Sequence, residues 1–126
     1  MYQSLALFQT AHDMARHAGA RQATTARNVA NADTPGYQAR QIAPFTETYA
    51  KEAASTMRAT RPGHLSFDPD PARPMAGNGD AEPSPNGNAV SIEEEMMNAV
   101  NIAREHNRAL TIYRHTMTVL RTSLGR

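Results

Sequence analysis

Proline sets the first limit on what this chain can fold into: all eight prolines lie between Pro35 and Pro85, with none in the first 34 or last 41 of 126 residues. A proline in a helix interior removes a backbone donor and clashes with the preceding turn. Long helices are therefore confined to the two proline-free ends. The expected organisation is an N-terminal helix over 1–34, a central loop segment over 35–89 and a C-terminal helix over 90–126. The fold class is mainly α: long N- and C-terminal helices packed as an antiparallel coiled-coil-like pair, with a Pro/Gly-rich, partly disordered central segment.

Each end carries a 4-3 alternation of the kind that marks a helix seam. At the N-terminal end it runs through Ser4, Phe8, Ala11, Ala15, Ala18, Gln22, Thr25 and Val29. These side chains are small, so the stripe permits close approach of a second helix but buries little area per turn. The C-terminal seam is longer: Ile92, Met96, Ala99, Ala103, His106, Leu110, Tyr113, Met117, Leu120 and Leu124. Its start is marked by Ser91 and Glu94, a Ser-x-x-Glu capping box. Glu93, Glu94 and Glu95 lie at the positive end of the helix dipole, and Arg114, Arg121 and Arg126 toward the negative end.

Composition bears on how much core these helices can build. Of the 50 apolar residues, 22 are alanine, while Leu, Ile, Val and Phe number only 17. That is a poor supply of burial for offsetting chain entropy, and a large private core is excluded. Between the helices, Phe45 to Met57 suits a short amphipathic helix with Phe45, Tyr49, Ala53 and Met57 on one face. Thr60 to Phe67 reads as a Pro-Gly turn with a brief extended run. From Asp68 to Ala89 the only large apolar residue is Met75, so this stretch is expected to be a solvated loop with nothing to anchor it.

Several function classes fall away on the residues alone. Thirteen basic residues against twelve acidic ones argue against a nucleic-acid module. With no cysteine there is no disulfide or thiolate chemistry. No apolar run approaches the ~18 residues of a membrane span, and no signal peptide is expected at the start. His12, Asp13, His17 and His106 are the candidate metal ligands, but no His-Glu-x-x-His spacing occurs. Asp13 and His17 are better read as a surface pair, and His106 as a polar residue setting helix register. Gly77 and Gly79 lack the rest of a dinucleotide fingerprint, and Pro71-Ala-Arg-Pro74 is a bare PxxP in a proline-rich loop. No catalytic residue, cofactor, metal or small-molecule substrate is expected.

The segment Asn28-Val-Ala-Asn-Ala-Asp-Thr-Pro-Gly-Tyr37 carries more information. Pro35 disfavours helical geometry at Thr34, which stops the first helix near Asn31. Pro35-Gly36 fits the centre of a type II turn with Gly36 at positive φ. Asp33 and Thr34 can bond backbone groups at the break, and Tyr37 emerges beyond the turn to pack on a neighbour.

In Asn28, Ala30, Asn31, Thr34, Pro35, Gly36 and Tyr37 the chain resembles the bacterial flagellar rod and hook proteins, whose N-terminal signature reads approximately Asn-(Ile/Leu/Val)-Ala-Asn-x-x-Thr-Pro-Gly-Tyr. The resemblance continues in TRPGHLSF (60–67), PNGNAVSIEEEM (85–96) and LRTSLGR (120–126), and is nearest to the proximal-rod members of the FlgB type. It does not extend to 68–84, and Glu105-His106-Asn107 replaces the bulkier residues that relatives often carry. The resemblance implies a non-enzymatic structural subunit of the periplasmic basal-body rod, required for motility and exported by the flagellar export apparatus without a cleaved signal. Its implied partners are other copies of itself, a FlgC-type rod protein and a FliE-type adaptor between the MS ring and the rod. The C-terminal heptads alone also fit a cytoplasmic coiled-coil adaptor or chaperone-like binding module.

Overall fold

A computed structural model describes residues 2–55, 61, 76–79 and 81–125. Two long helices, α1 (Tyr2–Ala30) and α3 (Ile92–Ser123), pack against each other and form the body of the molecule. A shorter helix, α2 (Phe45–Ser55), lies beside α1. Two dipeptide strands, β1 (Arg40–Gln41) and β2 (Gly77–Asn78), pair antiparallel with Arg40 opposite Asn78. The architecture is the mainly helical one expected, with the long helices at the two ends of the chain. The TRPGHLSF run, apart from Arg61, and Met57 and Met75 lie outside the described residues.

Local chemistry accounts for the helix ends. The Ser91 hydroxyl accepts from the Glu94 N–H at 3.4 Å and caps α3; among the described residues, only this half of the capping box is formed. At the far end the Leu124 N–H reaches back to Leu120 and Arg121, and Gly125 turns off at φ +75°. α1 stops where Asn31 donates its side-chain amide to the Arg27 carbonyl at 2.8 Å, giving one of the helix's last acceptors a partner.

The antiparallel register is fixed at three heights. Phe8 stacks on Tyr113 with ring centroids 4.4 Å apart, Arg21 pairs with Glu105, and Asn28 meets Glu95. Between these points the helices approach through small side chains. Ala11, Ala18 and Thr25 of α1 are buried at intervals of seven, as are Glu95, Ile102, Ala109 and Thr116 of α3. The buried Thr116 hydroxyl returns to the Ile112 carbonyl at 2.9 Å, so it enters the seam without an unmet donor.

This seam is turned relative to the one the apolar residues suggest. On α3 the inner stripe keeps Ala99, His106, Tyr113 and Leu120 at its flank, with Leu110 and Met117 half-buried, but Ile92, Met96, Ala103 and Leu124 face solvent. On α1 it keeps Ala11, Ala18 and Thr25 but exposes Gln22 and Val29; Met14, Arg21 and Asn28 turn inward instead. The reason is chemical: Arg21, Asn28 and Glu95 are buried or half-buried because they bind one another or the opposite helix. A rule that ranks positions by hydrophobicity sends them outward.

The core that results is small and mixed. Its buried apolar members among the described residues are five alanines and Ile102, matched in number by His17, Thr25, Asn28, Asn88, Glu95 and Thr116. The central segment also departs from expectation. Part of the 68–89 stretch is anchored, because β2 pairs with β1, the Gly79 N–H donates to the Ala39 carbonyl at 2.8 Å, and Asn88 and Ala89 are buried.

α2 docks through His17, which is fully buried. Phe45 meets the imidazole edge-on at 5.4 Å, and the Thr48 hydroxyl lies 3.5 Å from Nε2, while Nδ1 has no hydrogen-bond partner among the described residues. Tyr49, placed on the same face by the sequence, is half-exposed. Burial, reinforced by the Arg21 charge on α1 and opposed by Glu105 on α3, pushes the His17 pKa below its ordinary value; α2 presents Phe45 and Thr48 to it, both uncharged. Unfolded His17 therefore takes up a proton at higher pH than folded His17. Its contribution to stability is present above about pH 6.5 and declines as pH falls through that value toward the folded-state pKa. Urea unfolding is expected to show lower stability at about pH 5.5 than at about pH 7.5, with a shallower dependence in His17→Gln; equal dependence in the two proteins would show that another group is responsible.

Candidate functional site: an asparagine clasp between the terminal helices

The segment 28–37 closes over the start of α3, and the clasp is built from the end of α1 outward. Asn28, the last inward-facing residue of α1, is 1% exposed and uses both ends of its amide. Its Nδ2 donates to the Arg40 carbonyl at 2.7 Å and to Glu95 Oε1 at 2.8 Å. Its Oδ1 accepts from the Arg40 N–H at 3.0 Å and the Tyr37 hydroxyl at 3.3 Å. One side chain thus joins α1, β1 and α3, which a residue with only donors or only acceptors cannot do.

Beyond Asn28 the chain reverses. The Tyr37 N–H donates to the Thr34 carbonyl at 3.3 Å across Pro35-Gly36, with Gly36 at φ +72°. That is the type II turn expected of the dipeptide. Asn31 and Thr34 are linked twice, by the Thr34 N–H to the Asn31 carbonyl at 3.0 Å and by the Thr34 hydroxyl to Asn31 Oδ1 at 3.4 Å. Ala30 and Pro35 are exposed and make no side-chain hydrogen bond.

The loop that leads into α3 locks onto this turn. Asn88 donates from Nδ2 to the carbonyls of Asn31 at 3.0 Å and Thr34 at 2.7 Å, and its Oδ1 accepts from the Val90 N–H at 2.8 Å. The Gly36 N–H donates to the Asn86 carbonyl and the Ala89 N–H to the Tyr37 carbonyl. Gly36 and Gly87 meet backbone to backbone: a methyl on Gly87 would lie 3.4 Å from the Gly36 Cα, and Gly87 itself sits at φ +79°. Both positions favour glycine for their positive φ, while a methyl at 87 would meet Gly36 only at ordinary contact distance.

The motif residues Asn28, Asn31, Thr34, Gly36 and Tyr37 are thus brought together. Sequence reading missed their partners Arg40, Asn88 and Glu95. Asn88 sits in the Asn-Gly-Asn run before α3, a signal of turn chemistry that can be seen without a structure. Glu95 carried a false signal, because its place in the first helical turn already explained it as a dipole partner.

Beside the clasp, a cavity of about 360 Å³ is bordered by Arg21, Arg40, Pro44, Glu47, Glu95 and Ile102. Glu95 is 3% exposed, and its Oε2 makes no hydrogen bond among the described residues. The proposed metal ligands are not assembled there. His12 lies 3.6 Å from Asp13 at the other end of α1, His17 is enclosed under α2, and His106 is half-buried in the seam. The described residues hold no group of three or more potential ligands.

The turn side of the clasp, residues 28–37, lies in a region that known proteins share. A family model described as flagella basal body rod protein matches residues 17–38, which run from His17 under α2 through the whole turn. The flagellar basal body rod protein FlgB of Agrobacterium fabrum is 29% identical over 110 residues, covering 83% of this chain and 82% of the relative. A match covering 83% of the chain reaches into both long helices, so the likeness is not confined to the motif. Over that short family match and most of its length, the chain is similar to flagellar basal-body rod proteins of the FlgB type.

Proposed function

We propose that this chain is a self-assembling structural subunit of the proximal rod, exported without a cleaved signal and required for motility. A structural role in the basal-body rod is supported by the likeness to the rod family model and to the FlgB relative. Self-assembly through the terminal helices is carried by one observation: the helices cover little of their apolar surface in a single chain. Ile92, Met96, Met97 and Val100 remain 48–69% exposed on α3, while the buried apolar residues among those described are five alanines and Ile102. A patch of this kind marks a surface meant for a neighbour. The clasp holds α1 and α3 in fixed register, so the faces presented to neighbours stay aligned. The partners in this reading are further copies of the chain, a FlgC-type rod protein, a FliE-type adaptor and the export apparatus that delivers the subunit.

The test is fractionation of basal bodies from a strain whose own copy is deleted and restored in trans. The chain should co-purify with the rod, and swimming should return. A Pro35→Ala/Gly36→Ala variant should be secreted at near wild-type level but swim poorly. Alanine at Gly36 finds open space for its methyl yet must adopt φ +72°, at a cost of about 1 kcal/mol, and loss of Pro35 frees the exit further. Full motility in that variant would remove the turn from the proposal, and absence of the chain from purified rods would remove the function.

A further inference from the structure

The loop that leads into α3 places an asparagine directly before a glycine, at Asn86-Gly87, and the clasp uses both. The Gly87 N–H donates to the Ser84 carbonyl at 2.7 Å and closes a turn with Pro85 second and Gly87 last, at φ +79°. Asn86 serves the clasp twice. Its Oδ1 accepts from the Asn88 N–H at 3.0 Å, and its carbonyl accepts from the Gly36 N–H at 3.2 Å. In an unrestrained chain, however, an asparagine followed by glycine readily loses its side-chain amide, because glycine has no Cβ to obstruct attack by its own backbone nitrogen. Asn86 is also exposed, so water reaches it.

We propose that Asn86 is a self-modification site gated by the clasp: it deamidates through Gly87 when the clasp opens, and the isoaspartate formed keeps the clasp from closing again. The Gly87 nitrogen, on losing its proton, attacks the side-chain carbonyl carbon of Asn86. A C–N bond forms to Gly87, the bond to the side-chain nitrogen breaks, and that nitrogen leaves as ammonia with the proton. Water then opens the cyclic imide at either carbonyl, giving aspartate or isoaspartate. In the closed clasp both reacting groups are held elsewhere, the Gly87 N–H on the Ser84 carbonyl and the Asn86 amide oxygen on the Asn88 N–H. Reaction therefore waits on local opening. Isoaspartate carries the main chain through the former side chain, which lengthens the backbone by a methylene between residues 86 and 87. The carbonyl that received the Gly36 N–H becomes a free carboxylate, and Asn88 is carried out of step with the Asn31 and Thr34 carbonyls it binds. The inference stands on the clasp geometry and is separate from the rod-subunit reading. A second such pair, Asn78-Gly79, belongs to the pairing of β2 with β1, where the Gly79 N–H is held by the Ala39 carbonyl.

The experiment uses the purified full chain carrying Asn78→Ser, which removes the second pair. This parent chain is incubated at mildly alkaline pH in buffer and in unfolding urea, and residue 86 is followed by peptide mass mapping with enzymatic methyl labelling of isoaspartate. Conversion should be about tenfold or more faster in urea, since in buffer the hydrogen bonds of the clasp must first open. Asn88→Ala frees the loop from the Asn31 and Thr34 carbonyls but leaves Asn86-Gly87 intact. It should convert faster than the parent in buffer and equally fast in urea. If Asn88→Ala loses its helix signal, the parent at urea concentrations below its unfolding midpoint takes its place, and conversion should rise before helix is lost. Equal rates in buffer and urea, or no gain in the opened chain, would overturn the gating; an Asn86 that stays intact in urea would overturn the site. The isoaspartyl chain, isolated by chromatography and refolded, should unfold at lower urea than unmodified chain from the same sample. Asn86→Asp adds the charge without lengthening the backbone and should stay close to the parent. An isoaspartyl chain as stable as the parent, or an Asn86→Asp chain as unstable as the isoaspartyl one, would overturn the claim that the longer backbone holds the clasp open.

Discussion

Asn28→Ala is expected to destabilise the folded chain by about 3 kcal/mol or more, read as the shift in urea unfolding followed by helix signal. The truncation removes four hydrogen bonds at once and leaves their partners in place. The Arg40 N–H and carbonyl can turn toward water at modest cost, since Arg40 is exposed. Glu95 cannot: it is 3% exposed, and Asn28 is its sole side-chain partner among the described residues. A buried carboxylate stripped of its donor is the expensive product of the mutation. A double-mutant cycle with Glu95→Ala isolates this term, and the double variant should lose less than the two single losses added together. Additive losses would show that Asn28 acts only through Arg40 and Tyr37. Asn28→Asp should be at least as damaging as alanine despite its near-identical shape, because it sets a second carboxylate against the first.

The same residues mark where sequence reasoning succeeded and where it stopped. Proline placement and helix-end chemistry are local, so the two long helices, the Ser91 cap and the Pro35-Gly36 turn could be read directly from the chain. The pairing of α1 with α3 followed from their matching seven-residue repeats. The rotation of that pairing did not, because it depends on which polar residues meet across the interface. Glu95, exposed by any hydropathy ranking, is buried by Asn28; Met96, its apolar neighbour, is left 63% exposed. The clasp was half visible for a related reason: residues 28–37 are contiguous and their turn chemistry is local, whereas Asn88 and Glu95 join them only after the chain has returned. The central segment was read as unanchored because it lacks large apolar residues. What holds its described parts is backbone pairing at 77–79 and the amide of Asn88, neither of which depends on hydrophobic content.

The rotated seam yields the second large expectation, a contrast between positions that hydropathy alone would rank the other way. Ala109 is fully buried where α3 faces α1, and Met96 is 63% exposed on the opposite side of the same helix. Ala109→Asp should cost about 3–5 kcal/mol, since the carboxylate is placed at a fully buried position and must be desolvated there. Against the roughly 5–15 kcal/mol that holds a folded domain together, and with a core this poor in large side chains, that loss should separate the helices. Met96→Asp should change the stability of the single chain by no more than about 0.5 kcal/mol, because the side chain meets solvent in either case. Its effect belongs instead to association, where a charge in the apolar patch must be desolvated when a second copy seats on it. Thermal and urea unfolding at low concentration, set beside sedimentation at high concentration, separate the two effects. A stable Ala109→Asp chain would return the seam to the face carrying Met96, and an unstable Met96→Asp chain would do the same from the other side.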